Sequence, residues 1–204
     1  MISIWIAAAA AYAAFYFWYN GRRRPLAPHE VEDYIARLRA SAVEASAERL
    51  ETLRAFLASD DGGEFYMVNL IRLHPGTVRG PGEESARPAA RVLDDYTRRF
   101  LPALLRRAGH PVMLVSRAGG YVEHWGVEDD PKWSFAGVVR YRSRRDMIEL
   151  VIDPRFAGAH LFKTAAIERT FAFPARLRLL TFGPRLFVAV VLALLAALLQ
   201  IVVS

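Results

Sequence analysis

Cysteine is missing from all 204 residues, which excludes disulfides, thiolate metal sites and cysteine nucleophiles. Nothing in the chain therefore calls for an oxidising compartment. Lysine is almost missing too: Lys132 and Lys163 are the only two, so arginine carries nearly all the positive charge. The five histidines include no metal-ligand spacing such as H-E-x-x-H. There is also no glycine-rich phosphate loop, no Ser-His-Asp order and no nucleic-acid motif.

What is abundant is apolar. The hydrophobic share is 53%, and the 24% of charged residues fall almost entirely between the two ends. The first run, from about Ile2 to Tyr19, carries no charge and reaches roughly 27 Å as a helix, enough to span a bilayer with its flanks. A signal peptide would place positive charge before its apolar core, and this segment has the reverse order. The second run, from about Leu186 to Val203, holds Gln200 as its one strongly polar member, expected near the far interface.

The net charge of +6 and the pI near 10.0 raise the question of nucleic acid. The basic residues instead cluster at the membrane edges: Arg22, Arg23 and Arg24 follow the first run, and Arg176, Arg178 and Arg185 precede the second. With Trp18 and Tyr19 they suit an interfacial belt in contact with anionic lipid, and no nucleic-acid partner is expected. Arginines on that side of both spans predict a two-pass protein of the inner (cytoplasmic) membrane, with its central domain in the cytoplasm and both termini outside.

The expected organisation is a transmembrane helix over residues 1–20, a juxtamembrane arm and amphipathic helix over 21–58, an α+β domain over 59–183 and a second transmembrane helix over 184–204. From His29 to Leu57, Val31, Ile35, Leu38, Ala42, Ala45 and Leu53 recur at helical spacing, predicting one long helix or two shorter ones. Asp60 to Gly63 ends it, and Glu64 to Leu73 reads as a buried strand. Pro75 to Pro88 reads as a loop, and a helix is predicted from Ala89 to Ala108, closed by Gly109. Pro111 to Ser116 predicts a strand that resumes at Tyr121 to Glu123, and Trp133 to Tyr141 another, after the acidic turn Glu128 to Asp130. Ser143 and Asp146 cap a short helix through about Val151. A helix from Phe156 to about Glu168 and a last strand or linker near Phe171 to Phe182 complete the order. It contains a βαββαβ unit, a ferredoxin-like topology whose sheet has helices on one face only. The bare face must be buried, and a second copy would cover it.

The run Tyr66-Met67-Val68-Asn69-Leu70-Ile71-Arg72, then Tyr96 and Leu104, Ala108-Gly109 before Pro111-Val112, Trp133, Val138 to Arg144, Met147, Asp153-Pro154-Arg155-Phe156, His160 and Ala165 to Glu168 resemble the domain-of-unknown-function family 1330. The likeness covers about residues 53 to 175. It implies the dimeric α+β barrel superfamily, and hence a homodimer through the sheet face. Arg142 stands where that family usually has proline, and Lys163 stands near its usual His-Arg pair. The resemblance implies no particular reaction.

The superfamily so implied includes haem-handling enzymes with a histidine ligand, which makes His160 a candidate axial ligand or else a packed helical residue. No cofactor is expected; haem is the alternative. Asn69 either satisfies a local backbone group or points at a ligand, and Tyr141 alternates with Val139 to face the same side. Arg140 could grip an anion, whereas Arg144 reads as an exposed first-turn residue. No catalytic constellation appears. The leading expectation is a non-catalytic, membrane-tethered barrel module for assembly, scaffolding or small-ligand binding. Its rivals are a monooxygenase-like or haem-handling enzyme and an accessory subunit of a larger membrane complex, the latter suggested by alanine-rich spans that permit close helix packing.

Overall fold

The computed structural model describes residues 2–41, 46–127, 129–180 and 182–203, without the side chain of residue 157. Ala42 and Ala45 of the apolar stripe and Glu128 of the acidic turn lie outside the described residues. The chain divides into two compact units, Met1–Arg23 with Leu177–Ser204, and Arg24–Arg176.

The first unit is a helical hairpin of α1 (Ile2–Asn20) and α7 (Pro184–Val203), both long and apolar enough to cross a membrane. The two helices pack on each other, and Ala7, Ala8 and Ala11 share a groove with Leu192, Leu195 and Ala196. Small side chains allow that approach. Gln200 is not simply an interfacial residue: its Oε1 accepts a 2.6 Å hydrogen bond from the Trp5 indole. At the other end Arg185 donates to Asn20 Oδ1 at 2.7 and 3.0 Å and lies 4.9 Å from the Tyr19 ring centroid. The hairpin is thus pinned by one polar pair near each end.

The second unit is α+β. Its sheet comprises β1 (Phe65–Leu73), β4 (His110–Ser116), β5 (Phe135–Tyr141) and β6 (Ile167–Ala175), in the order β4-β5-β1-β6 with every neighbour antiparallel. Between β1 and helix α4 (Ala89–Arg106) the expected loop contains a small hairpin, β2 (Thr77–Arg79) and β3 (Ala86–Pro88). No strand forms at Tyr121 to Glu123: the segment lacks a partner strand, and Arg117 instead clasps Asp130 across its base. Helices α5 (Arg144–Val151) and α6 (Pro154–Ala166) connect β5 to β6. Ser143 Oγ accepts from the Asp146 N–H, the expected cap of α5, and Asp153 Oδ1 accepts from the Arg155 N–H, so α6 begins two residues before the expected Phe156.

The stripe from His29 onward forms two helices, α2 (Pro28–Ala40) and α3 (Ala47–Ala58). They do not stand apart as an arm. Val31, Ile35, Leu38, Leu50 and Leu57 join Phe65, Met147, Ile148 and Ile152 in one buried cluster. Arg144, expected to be exposed, is buried, because it reaches Asp60 at 3.5 Å and its guanidinium lies 4.3 Å from the Phe56 ring. Asp60 also accepts from the Leu26 N–H at 3.0 Å, which ties the start of the unit to the turn before β1.

The end of α4 also departs from expectation. The left-handed residue there is Ala108, with φ 55°, and not Gly109. Gly109 is needed for a different reason: a Cβ at that position would lie 2.9 Å from the Arg140 carbonyl oxygen of the neighbouring strand.

Candidate functional site

Alternation along the strands sorts the sheet into two faces. Phe65 and Met67 of β1, with Val139 and Tyr141 of β5, point toward the helices and pack into their clusters. The Phe65 and Tyr141 rings stack at 5.3 Å across a directly paired position.

The opposite face is apolar and open over its middle rows, whereas Tyr66 and Arg140, paired on the same face nearer the start of β1, are buried. Pairing registers align Met113, Val138, Val68 and Phe173 in one row across the four strands, and Val115, Ala136, Leu70 and Phe171 in the next. Met113, Val115, Phe171 and Phe173 are each at least 42% exposed. Large contiguous apolar surface of this kind marks an interaction site on a soluble domain. Arg72 and Glu168, paired at 2.9 Å, lie beyond the rows at one end.

The residues singled out from the sequence separate on this frame. Asn69 lies on the helix side and its amide donates to the Met67 carbonyl at 3.0 Å and the Gly137 carbonyl at 3.4 Å, the local backbone role. Arg140 is fully buried and its guanidinium is taken up by Glu64, at 2.6 Å, and by the Ala108 carbonyl, also at 2.6 Å. That pairing accounts for its charge without a ligand.

Tyr141 and His160 do share a neighbourhood, and Tyr96 of α4 joins them. The His160 ring lies 5.9 Å from that of Tyr96, which stacks on Phe100 at 5.2 Å. Lys163, one turn beyond His160, places its ammonium 5.7 Å from the Tyr96 ring centroid. Burial pushes both phenols above the usual tyrosine range, and their mutual repulsion adds to the effect at Tyr96. Burial, then the charge of Lys163, holds His160 below the ordinary histidine value, which favours a neutral imidazole. Burial, then Arg49 of α3, lowers Lys163. Lys163 and Tyr96 were legible only as landmarks of the family likeness; their i,i+3 and cross-helix meeting needed the fold. Among the described residues no group of three or more His, Asp or Glu side chains could hold a metal.

In the helical hairpin, Tyr19 is buried and engaged by Arg185, while Arg22 and Arg23 follow α1 as exposed residues. Trp18 is 48% exposed on α1. Arg24, at the start of the second unit, lies 3.6 Å from Glu30.

No family model matches the chain, and no curated protein matches it. Solved structures similar to the chain include two of one protein. One is a crystal structure of methylated RPA0582 protein, 24% identical, with a TM-score of 0.54 over 70% of this chain and 98% of that one. The other is a crystal structure of the RPA0582 protein of unknown function from Rhodopseudomonas palustris, 24% identical, with a TM-score of 0.53 over 68% of this chain and 99% of that one. The likeness is one of fold: the chain carries an α+β domain of the same architecture.

Proposed function

We propose that this chain is a membrane-tethered α+β module that pairs with a second copy through the bare face of its sheet and serves as a scaffold at the cytoplasmic membrane surface. The domain is read as ferredoxin-like, of the dimeric α+β barrel type that the resemblance to family 1330 implies. Support for that topology comes from the antiparallel order β4-β5-β1-β6 and from helices on one face only.

The observation that carries the pairing is the double row of eight apolar side chains, Met113 to Phe173 and Val115 to Phe171, with no charge within it. Burial of apolar surface contributes about 25 cal/mol per Å², so a face of this kind gains most from another face like itself. Tethering is supported by α1 and α7, each long enough to span, and by the arginines that flank them on the domain side.

Native mass spectrometry of the full chain in mild detergent tests the pairing. A homodimer is expected, and Val68→Asp combined with Phe173→Asp yields a monomer with unchanged helix content. A wild-type monomer across the working concentration range, or a dimer that survives the double substitution, overturns the reading. Orientation is tested by Glu84→Cys, an exposed position that gives the chain its one thiol. It stays unlabelled by an impermeant reagent in intact cells if the domain is cytoplasmic.

A further inference from the structure

The helix-covered side of the sheet holds a charge that nothing in the fold neutralises. The Lys163 ammonium makes no ion pair or hydrogen bond among the described residues, and its side chain is half-buried against the Tyr96 ring. The charged group that acts on it is another cation, Arg49 of α3. An ammonium partly withdrawn from water without a counter-ion is unfavourable, and folded proteins tolerate it chiefly where it has work to do.

Its neighbours have the same character. The phenolic oxygens of Tyr96 and Tyr141 neither donate nor accept a hydrogen bond among the described residues. Among the described residues the single fully enclosed side-chain nitrogen or oxygen without a hydrogen-bond partner is Arg54 Nε, so the two phenols and the ammonium keep access to solvent. Neutral phenols and an ammonium supply O–H and N–H donors with little competing acceptor strength. Around them stand the ring of Phe100 and the side chain of Val139, both packed on the cluster of Leu104, Leu150 and Phe156. Tyr96, Tyr141, His160 and Lys163 are thus neighbours beside an apolar wall.

We propose that the group formed by Tyr96, Tyr141, His160 and Lys163 is a binding site for a small organic monocarboxylate with an apolar or aromatic body. The carboxylate sits on the Lys163 ammonium and accepts from the Tyr96 and Tyr141 hydroxyls, while the body lies along Phe100 and Val139. A single carboxylate matches in charge the one half-buried ammonium of the group, Arg49 being exposed on α3; a doubly charged phosphate would leave one negative charge to be met only from outside the group. His160, neutral beside Lys163, adds one further donor or acceptor at the rim. The site is independent of the pairing through the sheet, because it lies on the opposite face.

Affinity should fall as pH rises through the lowered Lys163 value, where the ammonium gives up its proton. Arg49, His160 and Tyr96 are the titratable groups that face it, and Tyr141 lies beyond Tyr96. The phenols remain protonated through that range because burial raises them.

Isothermal titration of the full chain in mild detergent at pH 7 tests the site, with benzoate as the probe and inorganic phosphate as the comparison. One saturable benzoate site per chain is expected, with phosphate binding at least about tenfold more weakly. Lys163→Met is expected to weaken benzoate by about tenfold or more and to raise the melting temperature of the unliganded protein, because it removes an unpaired charge while keeping the chain length. Tyr96→Phe should weaken benzoate several-fold without loss of stability. The proposal is overturned by absence of saturable benzoate binding, by equal affinity in Lys163→Met, by phosphate binding the more tightly, or by a lower melting temperature in Lys163→Met, which would make Lys163 a structural residue.

Discussion

Arg140 and Glu64 form an ion pair at 2.6 Å in which the arginine side chain is 1% exposed and the carboxylate 24%. The same guanidinium donates to the Ala108 carbonyl, so one side chain joins β5, the turn before β1 and the end of α4. An arginine buried to this degree is costly to leave unpaired, while its removal leaves Glu64 with partial access to water. Arg140→Met is therefore expected to cost about 3 kcal/mol, less than the loss of Glu64, which strands the buried cation. Urea unfolding of Arg140→Met and Glu64→Gln should rank them in that order; equal or reversed costs would show that the pair is not what holds the junction.

How much of this was legible in the sequence depended on how local the cause was. Unbroken apolar runs mark α1 and α7, because a span needs only its own residues. The strand at Phe65–Leu73 and the cap at Ser143 were likewise readable from neighbours in the chain. Arg144 was not, since what buries it is Asp60 and Phe56, both more than eighty positions away. The same holds for Lys163, whose setting is made by Tyr96 from α4 and Arg49 from α3. Asn69 could be narrowed to two roles by its apolar neighbours, but only the register of β5 brings the Gly137 carbonyl within reach of its amide.

Gly109 is expected to resist substitution although its φ is ordinary for any residue. An alanine Cβ would meet the Arg140 carbonyl oxygen at 2.9 Å and would also run into Leu104 Cδ1. Leu104 can turn, but the β5 backbone cannot yield without disturbing the sheet. Overpacking of this sort costs about 1–3 kcal/mol, and thermal unfolding of Gly109→Ala should show it. An unchanged melting temperature would mean that the β4–β5 edge gives way freely.

The hydrogen bond from Trp5 to Gln200 predicts a measurable coupling within the hairpin. Polar pairs between membrane helices contribute about 0.6 kcal/mol on average and up to about 1.7. A double-mutant cycle of Trp5→Phe and Gln200→Leu, read by reversible unfolding in mixed micelles, should return a coupling in that range. The cycle is needed because Gln200→Leu alone also changes hydrophobicity. Zero coupling would leave the alanine-lined groove and the Arg185–Asn20 pair as what joins the helices.

Glu30 predicts an acid limb to the stability curve. Its carboxylate is held down to about 2, first by the Arg145 guanidinium that donates to it at 2.6 and 2.9 Å, then by the Ala27 N–H at 2.9 Å. Arg24, at 3.6 Å, adds a smaller attraction, and burial opposes all three. The folded value lies below the unfolded one, so the unfolded chain takes up the proton first. The stabilisation is complete above the ordinary value of 4.5 and is lost as pH falls from there toward 2. Because Arg145 sits on α5 and Glu30 on α2, the pair fastens α2 to the rest of its unit. Glu30→Gln should therefore melt below the wild type at pH 7, and the gap should close progressively between about pH 4.5 and pH 2. A gap that stays constant across that window would assign the loss to packing of α2 and not to the charge of Glu30.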